Sequence, residues 1–229
     1  MEKRLVVAID GPAGAGKSTV ARKVAEALGY LYIDTGAMYR ALTLAVLRAG
    51  APVDDAAAVT AVVQRCRVSL APGPNGNRVF LNGEEVTGEI RTLAVSNAVS
   101  QVAAIPAVRQ HLVELQRQLA RAGGVVMDGR DIGTVVLPNA DLKIFLTASL
   151  EERARRRYRE TQALGHGSNL EEIRKNLEER DRLDSGRATS PLRIAEDAVV
   201  IDTTDWSIEQ VVTHVLRLCR RRLEACCTE

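Results

Sequence analysis

Cysteine, long apolar runs and an excess of charge of one sign are all scarce in this sequence. Its four cysteines, Cys66, Cys219, Cys226 and Cys227, have neither the paired spacing of a metal site nor the density of a secreted disulfide scaffold. We therefore expect reduced thiols. Because 31 basic residues are balanced by 29 acidic ones, for a net charge of +2, no overall field attracts nucleic acid or a membrane. Any recognition of phosphate must be local.

Apolar runs are too short for a secretory signal or a membrane span. Five apolar residues precede Asp10, fewer than a signal peptide needs, and no uncharged run approaches the length that crosses a bilayer. We expect a cytoplasmic protein with a single domain over residues 1–229, a length that buries a sizeable core. His111, His166 and His214 stand apart, without the spacing of metal ligands.

A glycine-rich loop, residues 11–18, is the most informative feature that is present. Its sequence GPAGAGKS matches the phosphate-binding pattern G-x-x-x-x-G-K-[ST] at every fixed position, between a strand pattern and a helical pattern. Glycines let backbone N–H groups turn towards phosphate oxygens at a helix N-terminus. Lys17 adds a charge for the β- and γ-phosphates, and the Ser18 hydroxyl suits Mg²⁺. The predicted MgATP site consists of Gly11, Pro12, Ala13, Gly14, Ala15, Gly16, Lys17, Ser18 and Thr19.

Short apolar runs alternate with helical patterns along most of the chain. Buried parallel strands have continuous β-branched runs, and right-handed crossovers place helices on both faces of their sheet. We therefore predict an α/β fold with a five-stranded parallel sheet flanked by helices. The predicted strands are 5–9, 30–33, 125–128, 142–146 and 198–201. The predicted helices are 18–28, 37–49, 106–122, 150–163 and 170–183.

Residues 67–91 interrupt this alternation. Short strand patterns at 68–70, 79–81 and 85–86 are separated by a stretch rich in Pro, Gly and Asn and by an Asn-Gly pair at 82–83, the strongest two-residue hairpin signal. We predict a small antiparallel β insertion within the region that binds the second substrate. A loop without regular structure is the alternative. An insertion beside a phosphate site often helps to close over substrate.

Polar stretches follow the second and third predicted strands. Asp34 begins DTGAMYR, which ends at Arg40, and Asp128 begins DGRD, which contains Arg130 and Asp131. In open α/β sheets ligands bind outside the carboxyl ends of the strands, and planar guanidinium groups suit phosphate. Either stretch alone also fits a solvated charge or a structural salt bridge. Beside a phosphate loop, the two favour a second substrate that carries phosphate.

A third arginine group lies near the end of a predicted helix. Arg180, Asp184 and Arg187 are spaced by four and three residues, so they share one helix face. Solvated helix charges are the alternative interpretation.

A fourth group begins the helix after the fourth strand. Arg153 and Arg157 are four residues apart and project together from a predicted helical lid, residues 150–168. Such a lid brings positive charge to a transferring phosphoryl group. Ion pairs with glutamates of the same helix are the alternative for these arginines.

Six separate stretches, in one order, carry a family pattern: 9–12, 34–40, 88–91, 100–103, 128–136 and 179–187. Together they resemble the bacterial cytidylate kinases of the nucleoside monophosphate kinase superfamily, over nearly the whole chain. The resemblance implies a P-loop kinase core with a helical lid. It also implies transfer of the γ-phosphoryl group of ATP to CMP or dCMP, with Mg²⁺. Family members often have serine where this chain has Thr35, a change that keeps the hydroxyl.

The resemblance also implies roles for individual residues. A buried carboxylate accepts from the exocyclic amino group of cytosine and repels the O4 atom of uracil. The implied contacts are Arg40, Arg130 and Arg187 with the acceptor phosphate; Ser100, Arg109 and Asp131 with cytosine; Arg180 and Asp184 with the sugar; Thr35 within the same site; and Arg153 and Arg157 over ATP.

Phosphoryl transfer needs positioning and charge neutralisation more than a side-chain nucleophile. The expected catalytic residues are therefore the cations Lys17, Arg130, Arg153, Arg157 and Arg187. We also expect Asp128 to tune the water shell of Mg²⁺. The expected partners are ATP and CMP or dCMP, without nucleic acid or membrane, for a monomeric enzyme.

Two other functions fit the same residues. One is a kinase for a different small acceptor, such as another nucleoside monophosphate or a hydroxylated acid. The other is a nucleotide-dependent regulator, which would bind ATP without releasing ADP in response to an acceptor. The sequence lacks the Asn-Lys-x-Asp signature of guanine binding and has one phosphate loop, which favours the kinases.

Overall fold

The computed structural model describes residues 4–74, 76–163 and 169–226. Within these ranges the strands form two sheets, one parallel and one antiparallel. The strands are β1 (Val6–Asp10), β2 (Leu31–Asp34), β3 (Val68–Gly73), β4 (Gly76–Leu81), β5 (Glu84–Glu85), β6 (Val125–Gly129), β7 (Leu142–Thr147) and β8 (Val199–Asp202).

Helices connect and cover the strands. Two short irregular helices accompany them, a 3₁₀ turn at Glu89–Arg91 and a π-helical turn at Ile132–Val136. No helix in the described ranges has the length and apolar character to cross a membrane. The α-helices are α1 (Lys17–Leu28), α2 (Thr35–Arg48), α3 (Ala56–Val63), α4 (Leu93–Val102), α5 (Pro106–Ala120), α6 (Leu150–Ala163), α7 (Leu170–Gly186) and α8 (Ile208–Cys226).

The main sheet has the order β2-β6-β1-β7-β8, and all of its pairs are parallel. This confirms the predicted five-stranded parallel sheet. Both faces are covered, as a parallel sheet requires. Along β1, Val7 and Ile9 pack in a cluster with α1 and α8, while Ala8 faces a larger cluster that includes α2, α4 and α5.

The predicted strands are short by one residue at their carboxyl ends. Asp10 pairs with Gly129, Asp34 with Asp128, and Thr147 with Asp202 in the observed register. In four of the five strands the added residue is polar: Asp10, Asp34, Thr147 and Asp202; in β6 it is Gly129. The backbone of each polar residue is held by the ladder, which fixes where its side chain points.

The antiparallel sheet has the order β3-β4-β5 and corresponds to the predicted insertion. Its first hairpin is longer than predicted, because Pro72 pairs with Asn77 and Gly73 with Gly76. Asn82 has φ +53° at the second turn, which fits an Asn-Gly hairpin.

Some helices were not predicted. Helices α3 and α4 combine alanine, which favours helix, with valine, threonine, serine and asparagine, which do not, and the π-helical turn consists mainly of β-branched residues and glycine. Helices α6 and α7 pack on each other, and the predicted lid helix 150–163 matches α6. The remainder of the predicted lid, 164–168, which includes His166, lies outside the described residues, as does Cys227.

Candidate active site

The phosphate loop connects β1 with α1. Gly11 has φ +144°, and a Cβ atom there would lie 1.9 Å from the Leu146 carbonyl oxygen, so the loop requires glycine. Gly16 precedes α1 and provides no side-chain cap, which leaves the first N–H groups of the helix to an anion. Lys17 is buried and its Nζ donates to the Pro12 carbonyl oxygen at 2.7 Å. Burial lowers the pKa of Lys17.

Two carboxylates lie beside this loop, at the ends of β2 and β6. The Ser18 hydroxyl donates to Asp128 Oδ2 at 2.9 Å, and the Tyr32 hydroxyl donates to Asp128 Oδ1 at 2.9 Å. Burial, followed by the charge of Asp34, raises the pKa of Asp128. The sheet therefore concentrates negative charge next to the serine of the phosphate loop.

Arg153 joins the phosphate loop to the two lid helices. Its Nη1 donates to the Ala13 carbonyl oxygen at 3.1 Å and to Asp181 Oδ2 on α7 at 2.7 Å, while its Nε donates to the Ala148 carbonyl oxygen at 3.0 Å. The side chain is 8% exposed. Arg153 thus lies against the phosphate loop, and its contact with ATP stays a prediction.

Arg157 is arranged differently from Arg153. It is 44% exposed and pairs with Glu160 of the same helix at 2.8 Å, which is the helix-internal ion pair that the sequence left open. Its charge nevertheless acts across the site, because it lowers the pKa of both Arg40 and Arg180 after the larger effect of burial.

Several arginines from α2, α7 and the end of β6 lie close enough for their charges to affect one another. Arg40 on α2 donates to Ser96 Oγ at 2.9 Å, and burial and the charge of Arg180 lower its pKa to about 10. Burial and the charge of Arg130 lower the pKa of Arg180 to about 10. The buried Nε of Arg180 has no hydrogen-bond partner among the described residues. Mutual repulsion of this kind indicates a site for an anion.

Asp184 lies between two of these arginines. Its Oδ2 accepts from Arg130 Nε at 2.8 Å and its Oδ1 accepts from Arg187. Arg187 follows the last turn of α7 in an extended conformation, so the three residues 180, 184 and 187 are close together although the helix ends before the third. Burial by itself would raise the pKa of Asp184, but the charges of Arg130 and Arg187 outweigh burial and lower the pKa to about 2.

A second buried ion pair lies between α5 and the end of β6. Arg109 donates to Asp131, and both side chains are less than 5% exposed. The Arg109 guanidinium also lies 5.3 Å from the centre of the Tyr39 ring. Ser100 on α4 is buried as well. The structure thus gives the predicted base-reading residues positions on three different elements, with Arg109 and Asp131 in contact.

Thr35 has a backbone contact that the sequence did not suggest. Its hydroxyl donates to the Asp128 carbonyl oxygen at 2.7 Å, and the residue is buried at the start of α2. The hydrogen bond therefore links the end of β2 to the end of β6. Because the hydroxyl proton is used in this bond, the Thr35 oxygen can only accept a hydrogen bond from a ligand.

Three residues near the cleft were not identified from the sequence. The buried hydroxyl of Tyr39 has no hydrogen-bond partner within the described part of the chain. Arg156 lies at the mouth of the phosphate loop, where a Cβ on Gly16 would be 4.0 Å from its Nη1 atom. Asp10 accepts two backbone N–H groups of the π-helical turn. Of these, only Asp10 carried a signal, an acidic residue at a strand end directly before the loop.

Comparison with known proteins is consistent with this geometry. A sequence model of the cytidylate kinase family matches residues 7–221. A cytidylate kinase of Geobacillus kaustophilus is 55% identical over 223 residues, which cover 97% of this chain and 100% of that protein. A cytidylate kinase of Symbiobacterium thermophilum is 56% identical over 220 residues, covering 96% of this chain and 97% of that one.

Among solved structures, a gluconokinase from Sinorhizobium meliloti 1021 covers 98% of this chain and 97% of its own, with a TM-score of 0.51 and 18% identity. This likeness shows the fold, a P-loop kinase core, and nothing finer. The sequence matches reach further, because they extend over almost the full length at more than half identity. The chain belongs to the cytidylate kinase family.

Proposed function

We propose that this protein transfers the γ-phosphoryl group of ATP to CMP or dCMP and releases ADP with CDP or dCDP. The observation that carries the proposal is the presence of two separate groups suited to phosphate. One is the phosphate loop with the uncapped N-terminus of α1, and the other is the group of Arg40, Arg130, Arg180 and Arg187. Membership of the cytidylate kinase family supports cytidine as the acceptor's nucleoside.

The acceptor phosphate is assigned to Arg40, Arg130 and Arg187. Burial and the charge of Arg180 make the Arg40 cation costly without an anion, whereas Arg130 and Arg187 each pair with Asp184. A phosphate dianion with three acceptor oxygens would relieve the remaining repulsion. The same charges, together with Lys17, then stabilise the transferring group.

Cytosine is assigned to Ser100, Arg109 and Asp131. The carboxylate of Asp131 is held by Arg109 in a buried position, where it accepts a hydrogen bond but offers no donor. The exocyclic amino group of cytosine satisfies it, whereas the O4 atom of uracil would face it with two acceptors in contact. Base discrimination follows from that difference.

The sugar is assigned to Arg180 and Asp184, beside Thr35. Asp184 already orients two arginines, since each of its oxygens accepts one guanidinium bond. Each oxygen keeps a second lone pair for a ribose hydroxyl. Both roles are part of the proposal.

Magnesium is assigned to the oxygen atoms beside the phosphate loop. Ser18 Oγ and the carboxylates of Asp128 and Asp34 are the ligand type that Mg²⁺ prefers. Burial, and then the charge of Asp34, raise the pKa of Asp128, and a divalent cation would offset both effects. Among the described residues no group of three or more His, Cys, Asp or Glu side chains is placed to hold a metal alone. This fits an ion that arrives with ATP and, when bound, neutralises the charge of the β- and γ-phosphates.

The reaction then requires no covalent intermediate on the protein. An acceptor phosphate oxygen attacks the γ-phosphorus in line with the departing ADP oxygen, while Lys17 and the arginines hold the two substrates and balance the charge. Arg153 connects the phosphate loop with α6 and α7. Movement of these helices would therefore change the hydrogen bond between Arg153 and the loop. A closed lid keeps water from intercepting the phosphoryl group. A monomeric state and a cytoplasmic location belong to the same proposal.

A coupled assay of ADP release tests the function directly. We expect turnover with CMP and dCMP, much less with UMP, and little with AMP, GMP or shikimate. A hydroxylated acid as the preferred acceptor would support a different small-molecule kinase. ATP binding without acceptor-stimulated ADP release would support a regulator.

The role of the phosphate loop is tested by Lys17→Ala. Loss of a buried cation that stabilises transition-state charge should reduce kcat by roughly 100-fold or more while the fold is retained. Lys23→Ala on the same helix is the matched control and should leave kcat nearly unchanged. Near-normal turnover of a folded Lys17 variant would contradict the assignment.

A further inference from the structure

The turn that follows Asp131 is capped by a residue from another strand. Asp131 occupies the N-cap position of the π-helical turn, but its side chain makes no capping bond. Within the turn, the N–H groups of Val135 and Val136 donate to the Asp131 carbonyl oxygen. The preceding N–H groups, those of Ile132 and Gly133, need acceptors from elsewhere.

Asp10 supplies those acceptors. Its Oδ1 accepts from the Ile132 N–H at 2.8 Å and its Oδ2 accepts from the Gly133 N–H at 2.7 Å. The residue is 4% exposed. A Cβ atom on Gly133 would be crowded by the Lys143 side chain at 3.1 Å but would lie at an ordinary contact distance, 3.4 Å, from Asp10 Oδ2.

This arrangement leaves the Asp131 carboxylate available for another contact. An aspartate at an N-cap ordinarily accepts from the N–H groups two or three residues ahead. Asp10 already satisfies one of these, the Gly133 N–H, from the opposite direction. Asp131 instead accepts from Arg109 and is held on the side assigned to cytosine.

We propose that Asp10 is a positioning residue for base recognition: by capping the turn after Asp131, it keeps the Asp131 carboxylate turned towards Arg109 and the acceptor base. The inference rests on the proposed function, since it concerns how that site distinguishes its acceptors. The two oxygens of Asp10 are both engaged by backbone N–H groups, so its effect on the base would pass through the turn. Its backbone pairs with Gly129 and Phe145 in the middle of the sheet, so its carboxylate is a rigid reference point for the turn.

The charge on Asp10 suits this role. Burial raises its pKa to about 6 in spite of the two N–H donors, and the charges that face it are those of Asp131, which raises the pKa, and Lys17, which lowers it. At neutral pH the side chain is therefore mainly ionised and accepts at both oxygens. An amide in its place would accept at one oxygen and present an N–H group to the second donor.

The test compares Asp10→Asn with the same change at Asp141. Asp141 directly precedes β7, and its carboxylate bonds to the backbone at the opposite end of β1. Asp141 Oδ2 accepts from the Val6 N–H at 2.8 Å, far from the acceptor site, so Asp141→Asn is the control. We expect Asp10→Asn to raise KM for CMP about tenfold and to reduce the preference for CMP over UMP, with KM for ATP changed less than about threefold. Asp141→Asn should lower the unfolding midpoint without changing the CMP to UMP preference.

A purely structural role for Asp10 predicts a different result. In that case Asp10→Asn would lower the unfolding midpoint as Asp141→Asn does but keep both KM for CMP and the base preference, and the inference would be wrong. If the asparagine variant does not fold, Asp10→Ser, which is smaller and keeps one acceptor oxygen, is measured in the same way and should show the same loss of preference.

Hydrogen exchange separates this inference from the proposed function. In Asp10→Asn the amides of 132–136 should exchange faster than in the wild type, while those of α1 stay protected. If the wild type does not phosphorylate CMP, the proposed function fails, and unchanged exchange in 132–136 would independently overturn the capping role of Asp10.

Discussion

Single residues in the cleft are held by partners that lie far away in the chain. Arg109 and Asp131 form a buried pair across 22 residues, and Tyr39 covers the guanidinium from a third element. A buried ion pair gives modest net stability because desolvation offsets its attraction. Its geometry is therefore better explained by recognition than by folding.

Asp131→Asn tests this recognition. An amide can donate to the O4 atom of uracil, so the preference for CMP over UMP should fall by roughly 1 to 3 kcal/mol, the usual cost of an unmade buried hydrogen bond. The measurement is kcat/KM for both acceptors, with KM for ATP as the internal control. An unchanged ratio in a folded variant would exclude Asp131 as the group that reads the base.

The side chain of Asn77 joins the β insertion to the edge of the main sheet by two hydrogen bonds, in addition to the apolar packing of the insertion on α2. β2 is an edge strand, and the amide of Asn77 on β4 accepts from the Asp34 N–H at 2.9 Å and donates to the Tyr32 carbonyl oxygen at 2.9 Å. The side chain thus satisfies the edge as a neighbouring strand would. Beyond the insertion, the Ile90 carbonyl oxygen accepts from Arg40 at 3.3 Å, which links this region to the acceptor site.

Asn77→Ala should therefore weaken acceptor binding. Losing two hydrogen bonds loosens the insertion, and KM for CMP should rise roughly threefold to tenfold while KM for ATP stays nearly constant. Asn82→Gly is the control, because Asn82 lies in the same sheet at a turn with positive φ that glycine tolerates. If both changes raise KM for CMP equally, the effect comes from a general loss of stability of the insertion, and the specific role of Asn77 would be contradicted.

Elements differed in how well the sequence revealed them. The five parallel strands were evident, because each is a short run of mainly apolar residues bounded by polar ones. Helix α4, which carries Ser100, was not predicted, since its valines and serines have low helix propensity and Thr92 makes no side-chain cap. Packing against α2 stabilises it instead, and that contact is invisible in the local sequence.

For the whole molecule, near-neutral net charge conceals strong local charge. The net charge is +2, yet buried arginines surround Asp184 in the cleft. The free energy of unfolding should depend on this group at acid pH. The pKa of Asp184 is about 2 in the folded protein, against 3.8 ordinarily, so its contribution is complete above about pH 5 and is lost as pH falls from about 4 towards 2.

Urea unfolding of the wild type and Asp184→Asn between pH 3 and pH 7 measures this contribution. The difference in unfolding free energy between them should be constant above about pH 5 and shrink at lower pH, by roughly 1 kcal/mol at pH 3. A difference that stays the same down to pH 3 would mean that Asp184 has no depressed pKa and that the arginines around it are not its partners.

The sequence by itself determined the phosphate loop, the parallel sheet and the arginine groups, because each depends on neighbouring residues or on a short repeat period. The pairing of those groups was decided only by the tertiary structure. Arg157 turns to Glu160 while Arg153 contacts the loop, although both have the same spacing on one helix. Asp10 and Ile132 are 122 residues apart in the chain. They meet because β1 and β6 are neighbours in the sheet, and no local sequence pattern predicts that pairing.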